Sequence, residues 1–371
     1  MDNIDQNELS QIVKQKLENF LSDVFYDEIK VTDIQIGKRF TKYVLNLSLK
    51  YLDELTSYKS DIALLTKNVS NIEFSVQNER ICIFTENNTF NEKSTSFTSL
   101  ISGNAYAETN CVLPLTIGFD FFGKPIISDL RNLGQLLCLG SVGSGTETLL
   151  ENFILGLILK HSQFNLKLML IEPKNFNLRT FDVFENLPHL LGKKIFKTSE
   201  DIISALDAVV DEINNRYEMF SKAGTPNIEI FNSLDLVKND PSLHLPYVVV
   251  FINKFDNVIS INKSKIEKSI QIITSRARSC GIYLVLSTEK PTTDTLTKIV
   301  LNHIQSKLCF KIKKISSNYI SVISGSENLF GHGDMLFLPF GSTEPERVQC
   351  GYIEFKDCQI LANEISKKYN N

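Results

Sequence analysis

What constrains this chain most is a set of short, nearly continuous apolar runs. Tyr247-Val248-Val249-Val250-Phe251-Ile252 is the clearest, and residues 136–139, 166–171, 282–286, 307–312 and 335–338 follow the same pattern. A strand that alternates apolar with polar can leave one face in water, whereas a strand apolar at successive positions needs cover on both faces. Helical periods lie between the runs. Residues 146–160 form one, and residues 201–220 form another with Ile202, Leu206, Val209, Val210, Ile213, Tyr217 and Phe220 on one face. The alternation implies an α/β fold with a mostly parallel, doubly wound sheet. A length of 371 residues leaves room for a second, smaller unit.

That unit is expected ahead of the alternating region. Residues 1–30 read as an amphipathic N-terminal helix, with Leu9, Ile12, Val13, Leu17, Phe20, Leu21, Val24 and Phe25 at three- and four-residue steps. Asp5 and Glu8 stand where they can cap its start. Residues 31–110 read as a small α+β domain. Strands at 31–36 and 40–49 flank the turn Gly37-Lys38-Arg39, a helix follows around Asp61-Ile62-Ala63-Leu64-Leu65, and 72–76 with 80–84 form a hairpin. Residues 85–110 are rich in Asn, Ser, Thr and Glu and lack a period, so a long loop is expected there. The doubly wound domain is then expected over 111–371.

Several function classes drop out. The most apolar helix, at 149–159, is interrupted by Glu151 and Asn152 and is too short to span a bilayer. The N-terminus shows no basic-then-apolar leader, which predicts a cytoplasmic protein without a membrane span. Seven scattered cysteines include no CxxC pair, which argues against a zinc site or a disulfide framework. His161, His189, His244, His303 and His332 are not at metal-ligand spacing. No Ser/His/Asp set stands out.

Strand, glycine-rich turn and helix occur together once, across residues 136–148. The turn reads Gly140-Ser141-Val142-Gly143-Ser144-Gly145-Thr146-Glu147-Thr148. It has the frame of a phosphate-binding loop, GxxxxGK[ST], in which backbone N–H groups and a helix N-terminus attract anions. Thr146 stands where that motif has lysine, and Glu147 where it has the hydroxyl that holds magnesium.

From here an ordered series of motifs resembles the motor domain of the FtsK/SpoIIIE DNA translocases. Ile171-Glu172-Pro173-Lys174 is similar to that family's IDPK, and Leu187-Pro188-His189-Leu190-Leu191, Arg216-Tyr217 and Pro226-Asn227-Ile228 follow in order. Ala277-Arg278-Ser279-Cys280-Gly281-Ile282 resembles ARAAGI, and Leu329-Phe330-Gly331-His332-Gly333-Asp334-Met335-Leu336 resembles LLGHGDML. Leu338-Pro339 and Glu344-Pro345-Glu346-Arg347-Val348 complete the series. The likeness runs from about residue 31 to 355. It implies a RecA-like P-loop NTPase fold, ATP as the nucleotide, and a homo- or hetero-oligomeric ring, a hexamer in the family, acting on double-stranded DNA.

The departures from the pattern are chemical. In the family's hhhhDE motif the Asp serves the magnesium shell and the Glu polarises the attacking water. Here Asn253-Lys254 follow the strand. The ATQRP segment appears as Ser287-Thr288-Glu289-Lys290-Pro291, and the arginine expected to reach a neighbour's γ-phosphate aligns with Asn318. Thr146, Glu147, Asn253, Lys254 and Asn318 are therefore the degenerate positions. Together they predict a subunit that does not hydrolyse ATP by itself and argue against a magnesium site.

Residues 263–314 contain eleven basic residues against three acidic ones, a local balance of +8 in a chain of net charge −4. Lys263, Lys265, Lys268, Arg276, Arg278, Lys307, Lys311, Lys313 and Lys314 are the DNA-contact candidates, alongside Lys290 and Lys298. Three functions fit this sequence. The first is a pseudo-ATPase motor subunit on duplex DNA, alone or with an intact paralogue. The second is a pseudo-ATPase scaffold for protein partners, as in type VII secretion. The third is an active translocase in which Lys174 or Lys254 supplies the missing charge and Glu147 or Glu172 holds magnesium.

Overall fold

The computed structural model describes residues 5–66, 72–174, 180–313 and 319–370. Helix α1 (Gln6–Phe25) lays Leu9, Val13, Leu17 and Leu21 against a four-stranded antiparallel sheet. Its strands are β1 (Val31–Ile36), β2 (Phe40–Leu45), β3 (Ile72–Gln77) and β4 (Arg80–Glu86), in the order β1-β2-β4-β3. Tyr43, Leu45, Ile72, Phe74, Ile81 and Ile83 supply the facing layer, so helix and sheet share one core.

The large sheet has nine strands: β5 (Pro114–Phe119), β6 (Pro125–Asp129), β7 (Leu136–Leu139), β8 (Leu166–Ile171), β9 (Tyr247–Ile252), β10 (Ile282–Thr288), β11 (Ser306–Phe310), β12 (Asp334–Leu338) and β13 (Glu346–Gln349). Their order is β6-β5-β13-β12-β11-β7-β10-β9-β8. The stretch β11-β7-β10-β9-β8 is parallel throughout. Beyond β11 the sheet continues antiparallel.

Cover on both faces explains the continuous apolar runs. On one face α2 (Thr146–Lys160) buries Leu149, Leu150, Phe153 and Ile154, and the C-terminal helix α5 (Phe355–Asn370) adds Cys358, Ala362 and Ile365. On the other face α3 (Ser199–Ala223) and α4 (Lys263–Arg276) bury Ile202, Leu206, Val209, Ile266, Ile270 and Ile273. Arg216, one of the motif residues, is a structural tie rather than a surface group. Its buried guanidinium bonds Glu212 at 2.7 Å and the carbonyls of Pro246 and Cys280 at 2.8 Å, fixing α3 to the starts of β9 and β10.

One expectation fails. Residues 85–110 are not a long loop, because Phe97–Ser102 and Asn104–Ala107 are helical. Phe97 joins the large sheet's core, Leu100 is fully buried, and Tyr106 Oη donates to the Gly156 carbonyl of α2 at 2.5 Å. The helices are too short to show a period, and their apolar residues answer to a surface far away in sequence. All seven cysteines are free, and every one except the half-exposed Cys111 is buried. Among the described residues no helix is long and apolar enough to cross a membrane.

Candidate functional site

The chain leaves β7 in the middle of the parallel block. Strands β8, β9 and β10 build to one side of it and β11 to the other. Ligand crevices in open α/β sheets form at such a switch point, at the carboxyl ends of the strands. The glycine loop sits there. Gly143 and Gly145 take φ of +77° and +118°, conformations that side chains adopt only with strain. Gly145 also approaches Gly333 so closely that a Cβ would lie 3.0 Å from its Cα.

The Gly331-His332-Gly333 turn packs beside the loop, with φ of +86°, +50° and +86°. The Gly333 N–H donates to the Ser144 carbonyl at 2.9 Å, and Cys350 N–H donates to Gly333 O at 2.7 Å. Loop and turn border an open cleft of about 200 Å³ lined by Ser141, Val142, Gly143, Gly145, Thr146, Glu147 and Thr148. Glu92, Glu289, His332, Gln349 and Tyr352 close its other sides. Three of these side chains are carboxylates, and among the described residues the lining has no lysine or arginine.

At the end of β9 the expected acidic pair is replaced by a closed polar network. Asn253 is buried, and its Nδ2 donates to Glu172 Oε1 at 2.7 Å and to Thr180 Oγ1 at 3.3 Å. Its Oδ1 accepts from Ser287 Oγ at 2.6 Å and from the Lys254 N–H at 3.0 Å. Glu172 accepts from the N–H groups of Thr180 and Phe181 as well. Burial raises the Glu172 pKa, opposed by those hydrogen bonds and by the Lys254 charge. Lys254 has φ of +55°, and its ammonium reaches back to Glu147 at 3.4 Å. The two residues that differ most from the family pattern are therefore partners. Asp256, on the next turn, accepts from Thr288 Oγ1 at 3.1 Å.

Magnesium needs free oxygen ligands in octahedral array. The residues at this position do not fit it. Glu147 is tied to an ammonium, both polar atoms of Asn253 are engaged, and Thr146 Oγ1 lies 3.3 Å from Ser144 Oγ. Among the described residues no cluster of His, Cys, Asp and Glu is arranged for a metal.

Glu151, one turn into α2, points to a pH dependence. Burial, then the charges of Glu147 and Glu172, push its pKa up to about 8. A carboxyl that holds its proton in the folded chain and releases it near its ordinary value when unfolded loses stability as pH rises. The loss begins near the unfolded value and is complete above the folded one, and amounts to about 3 kcal/mol between pH 5 and pH 8. Glu151→Gln is expected to remove this slope, so that its advantage over wild type in urea unfolding grows from pH 5 to pH 8. An advantage that does not change with pH would contradict the assignment.

The basic stretch divides between elements. Lys263, Lys265, Lys268 and Arg276 lie on α4, where Lys263 pairs with Asp294 at 3.6 Å and Lys265 with Asp207 at 2.8 Å. Arg276 bonds Asn214 and covers the Tyr217 ring. Arg278 is exposed in the turn after α4, and Lys298 is exposed on Lys298–His303. Lys290 approaches Asp256 at 3.8 Å. Lys307 lies on β11, with its pKa lowered by burial. Lys311 and Lys313 run directly beside the glycine loop: Ser141 N–H donates to Lys311 O at 3.1 Å, and Lys313 N–H donates to Ser141 Oγ at 2.8 Å. Lys311 also pairs with Glu73 of the small sheet at 3.7 Å. Lys314 and Asn318 lie outside the described residues.

Residue-type patterns gave no hint of Arg39, which is almost wholly buried between the two sheets. Its guanidinium bonds Glu86 at 2.9 Å, the carbonyls of Gly331 and His332 at 3.1 and 3.0 Å, and Gln349 Oε1 at 2.6 Å. The small sheet is thus fastened to the turn that lines the cleft. The His332 carbonyl accepts from Arg39 and Gln349, while its exposed ring stands 3.6 Å from Glu92. Only the position of Arg39 in the Gly37-Lys38-Arg39 turn could have drawn attention to it.

A parallel block with a glycine loop at its switch point, leading into a buried helix, defines a RecA-like P-loop ATPase fold. The FtsK/SpoIIIE family profile matches residues 99–293, more than half of the chain, and the chain belongs to that family. The DNA translocase FtsK of Halalkalibacterium halodurans is 30% identical over 349 residues, covering 89% of this chain and 42% of that protein. That of Oceanobacillus iheyensis is 29% identical over 373 residues, covering 97% and 46%. The chain therefore spans less than half the length of these curated relatives. Among solved structures, the pCW3 conjugation coupling protein TcpA with ATPγS superimposes with a TM-score of 0.63 at 16% identity, covering 96% of this chain and 99% of that one. The cytoplasmic domain of the Thermomonospora curvata type VII secretion ATPase EccC gives 0.59 at 19%, covering 73% and 34%. These two likenesses concern the fold.

Proposed function

We propose that this chain is a DNA-translocase-type motor subunit that keeps the family's fold but does not hydrolyse ATP itself, and that it acts on double-stranded DNA within an oligomeric ring. A ring of identical subunits and one shared with an intact paralogue both fit this reading. So does the division into an N-terminal unit, with α1 and the small sheet, and a motor unit around the large sheet. The carrying observation is the Lys254–Glu147 pair together with the saturated Asn253. It supports the reading because the groups that would hold a metal and polarise water are committed to one another. The glycine loop retains backbone suited to phosphate, so ATP remains the nucleotide to test.

DNA contact would come from positive charge outside the cleft. Exposed ion pairs such as Lys265–Asp207 are worth little and exchange readily for phosphates. Reversal of Lys311, Lys313 and Lys314 to Glu is expected to abolish duplex binding. Reversal of Lys263 and Lys268 should weaken it less. Wild-type affinity should fall by about 10³ or more from 50 to 200 mM salt if six or more phosphates are contacted. Fluorescence anisotropy with a labelled duplex reads all three effects. Duplex binding that is absent at 50 mM salt, or that survives the first reversal, sinks the DNA reading. A scaffold for protein partners then takes its place. The cleft favours that second reading in one respect: among the described residues its lining carries Glu92, Glu147 and Glu289 and no lysine or arginine, and the adjacent Lys254 ammonium is taken up by Glu147.

A further inference from the structure

We infer that the Lys254 ammonium, held by Glu147, stands in for the divalent metal of this cleft, so that the site takes no magnesium. The inference rests on reading the cleft as a nucleotide site of P-loop type. In such sites the metal is held between the first turn of the loop's helix and the end of another strand of the same sheet. Here those two places are Glu147, in the first turn of α2, and Asn253-Lys254, directly after β9. The gap between them is bridged at 3.4 Å by a side chain of this chain.

Three further observations support the replacement. The Lys254 side chain is only 12% exposed, so its charge is committed inward. Its backbone adopts a left-handed conformation at φ +55°, uncommon for a residue other than glycine and upheld where surrounding structure demands it. Its charge also acts on Glu172 and Glu289, so the one ammonium serves the carboxylates gathered around it. A divalent ion entering here would meet that fixed positive charge and would have to break its bond to Glu147. Among the described residues Glu289 would then be the cleft-lining carboxylate within reach of the Lys254 charge, Glu172 being held by Asn253, Thr180 and Phe181. One carboxylate without the Asn253 and Glu147 oxygens does not make an octahedral site.

A metal can dissociate, whereas a tethered ammonium cannot. The link between α2 and β9 is therefore independent of both nucleotide and divalent ion. The chain should hold one arrangement at the cleft where a metal-dependent subunit would alternate.

The experiment uses the full chain and two probes: manganese(II), followed by electron paramagnetic resonance, and a fluorescent ATP analogue titrated in magnesium or in EDTA. Wild type is expected to retain no manganese and to show analogue binding that magnesium does not strengthen. Glu147→Thr with Lys254→Asp removes the ion pair and puts a hydroxyl and a carboxylate at the two places it joined. It is expected to bind the analogue at least about tenfold more tightly in magnesium than in EDTA. Lys254→Gln, nearest in size, frees Glu147 and should gain manganese binding even if the double variant fails to fold. Stoichiometric manganese on wild type, or a tenfold magnesium effect on its analogue affinity, overturns the inference. Folded variants that still ignore the metal overturn it too. Metal binding without ATP turnover removes this inference and leaves the non-hydrolysing reading standing. Turnover removes both.

Discussion

Arg347→Ala is expected to destabilise the chain by about 3–5 kcal/mol, the range seen when one partner of a buried ion pair is removed. The Asp334 side chain is fully buried, and both its oxygens accept from Arg347, Nε at 2.9 Å and Nη2 at 2.7 Å. The guanidinium also lies 4.4 Å from the ring centres of Phe40 and Phe84 and 5.3 Å from that of Phe330. Phe40 and Phe84 come from the small sheet, while Asp334 and Phe330 flank the Gly331-His332-Gly333 turn. Removing Arg347 therefore leaves the buried Asp334 carboxylate without its counter-charge, with the Phe330 N–H still donating to it at 2.8 Å, and loosens the seam between the two sheets. Urea unfolding measures the loss. Arg347→Lys should recover part of the charge term but not the paired hydrogen bonds. A loss below about 1 kcal/mol for the alanine variant would show that Asp334 finds other partners or water, since an uncompensated buried charge costs several times that.

The second large effect concerns turnover. Phosphate release by the purified chain with ATP and magnesium is expected to be no faster than that of Gly145→Asp, in which the loop itself is blocked. A positioned general base contributes about 10²–10⁴ to a rate. An arginine supplied to the transferring phosphate contributes about 10³–10⁵. Here the base position holds Lys254, and the position aligned with the arginine holds Asn318. Thr146→Lys alone should therefore restore no measurable turnover, because Asn253 and Lys254 still occupy the end of β9. Wild-type hydrolysis that is lost in Gly145→Asp would refute the claim and favour the reading in which unorthodox ligands support activity.

The legible parts of the fold were those with local causes. The apolar run at 247–252 announces a strand covered on both faces, and the period in 201–220 announces the helix that covers it. Strands β5, β6 and β13, which extend the sheet antiparallel past β12, were missed as strands. Pro114–Phe119 buries all six of its residues, and Asp120, Gly123 and Pro125 directly after it are the turn signals that mark its hairpin with β6. The helices in 97–107 were missed because their apolar residues form no stripe of their own and are buried against α2 and β5.

By itself the sequence determined where the cleft departs from the family's motifs. That depends on residue type at a few positions, and Thr146, Glu147, Asn253 and Lys254 can be read without coordinates. It also determined the glycine loop, whose backbone needs are met within six residues. The tertiary structure decided which of these residues meet. Glu147 follows β7 and Lys254 follows β9, with β10 between the two strands, so their pairing depends on the sheet order and on the reach of a lysine. Arg39 finds Gln349 across 310 residues because the packing of the two sheets brings a guanidinium already held by Glu86 of its own sheet against the carbonyls of Gly331 and His332 at one seam. The basic stretch, a single block in the sequence, is divided between a helix on one face of the sheet and a segment beside the glycine loop. Local periodicity sets the elements, but partners for buried charge are found only when the elements pack, since burial is what makes an unpaired charge costly.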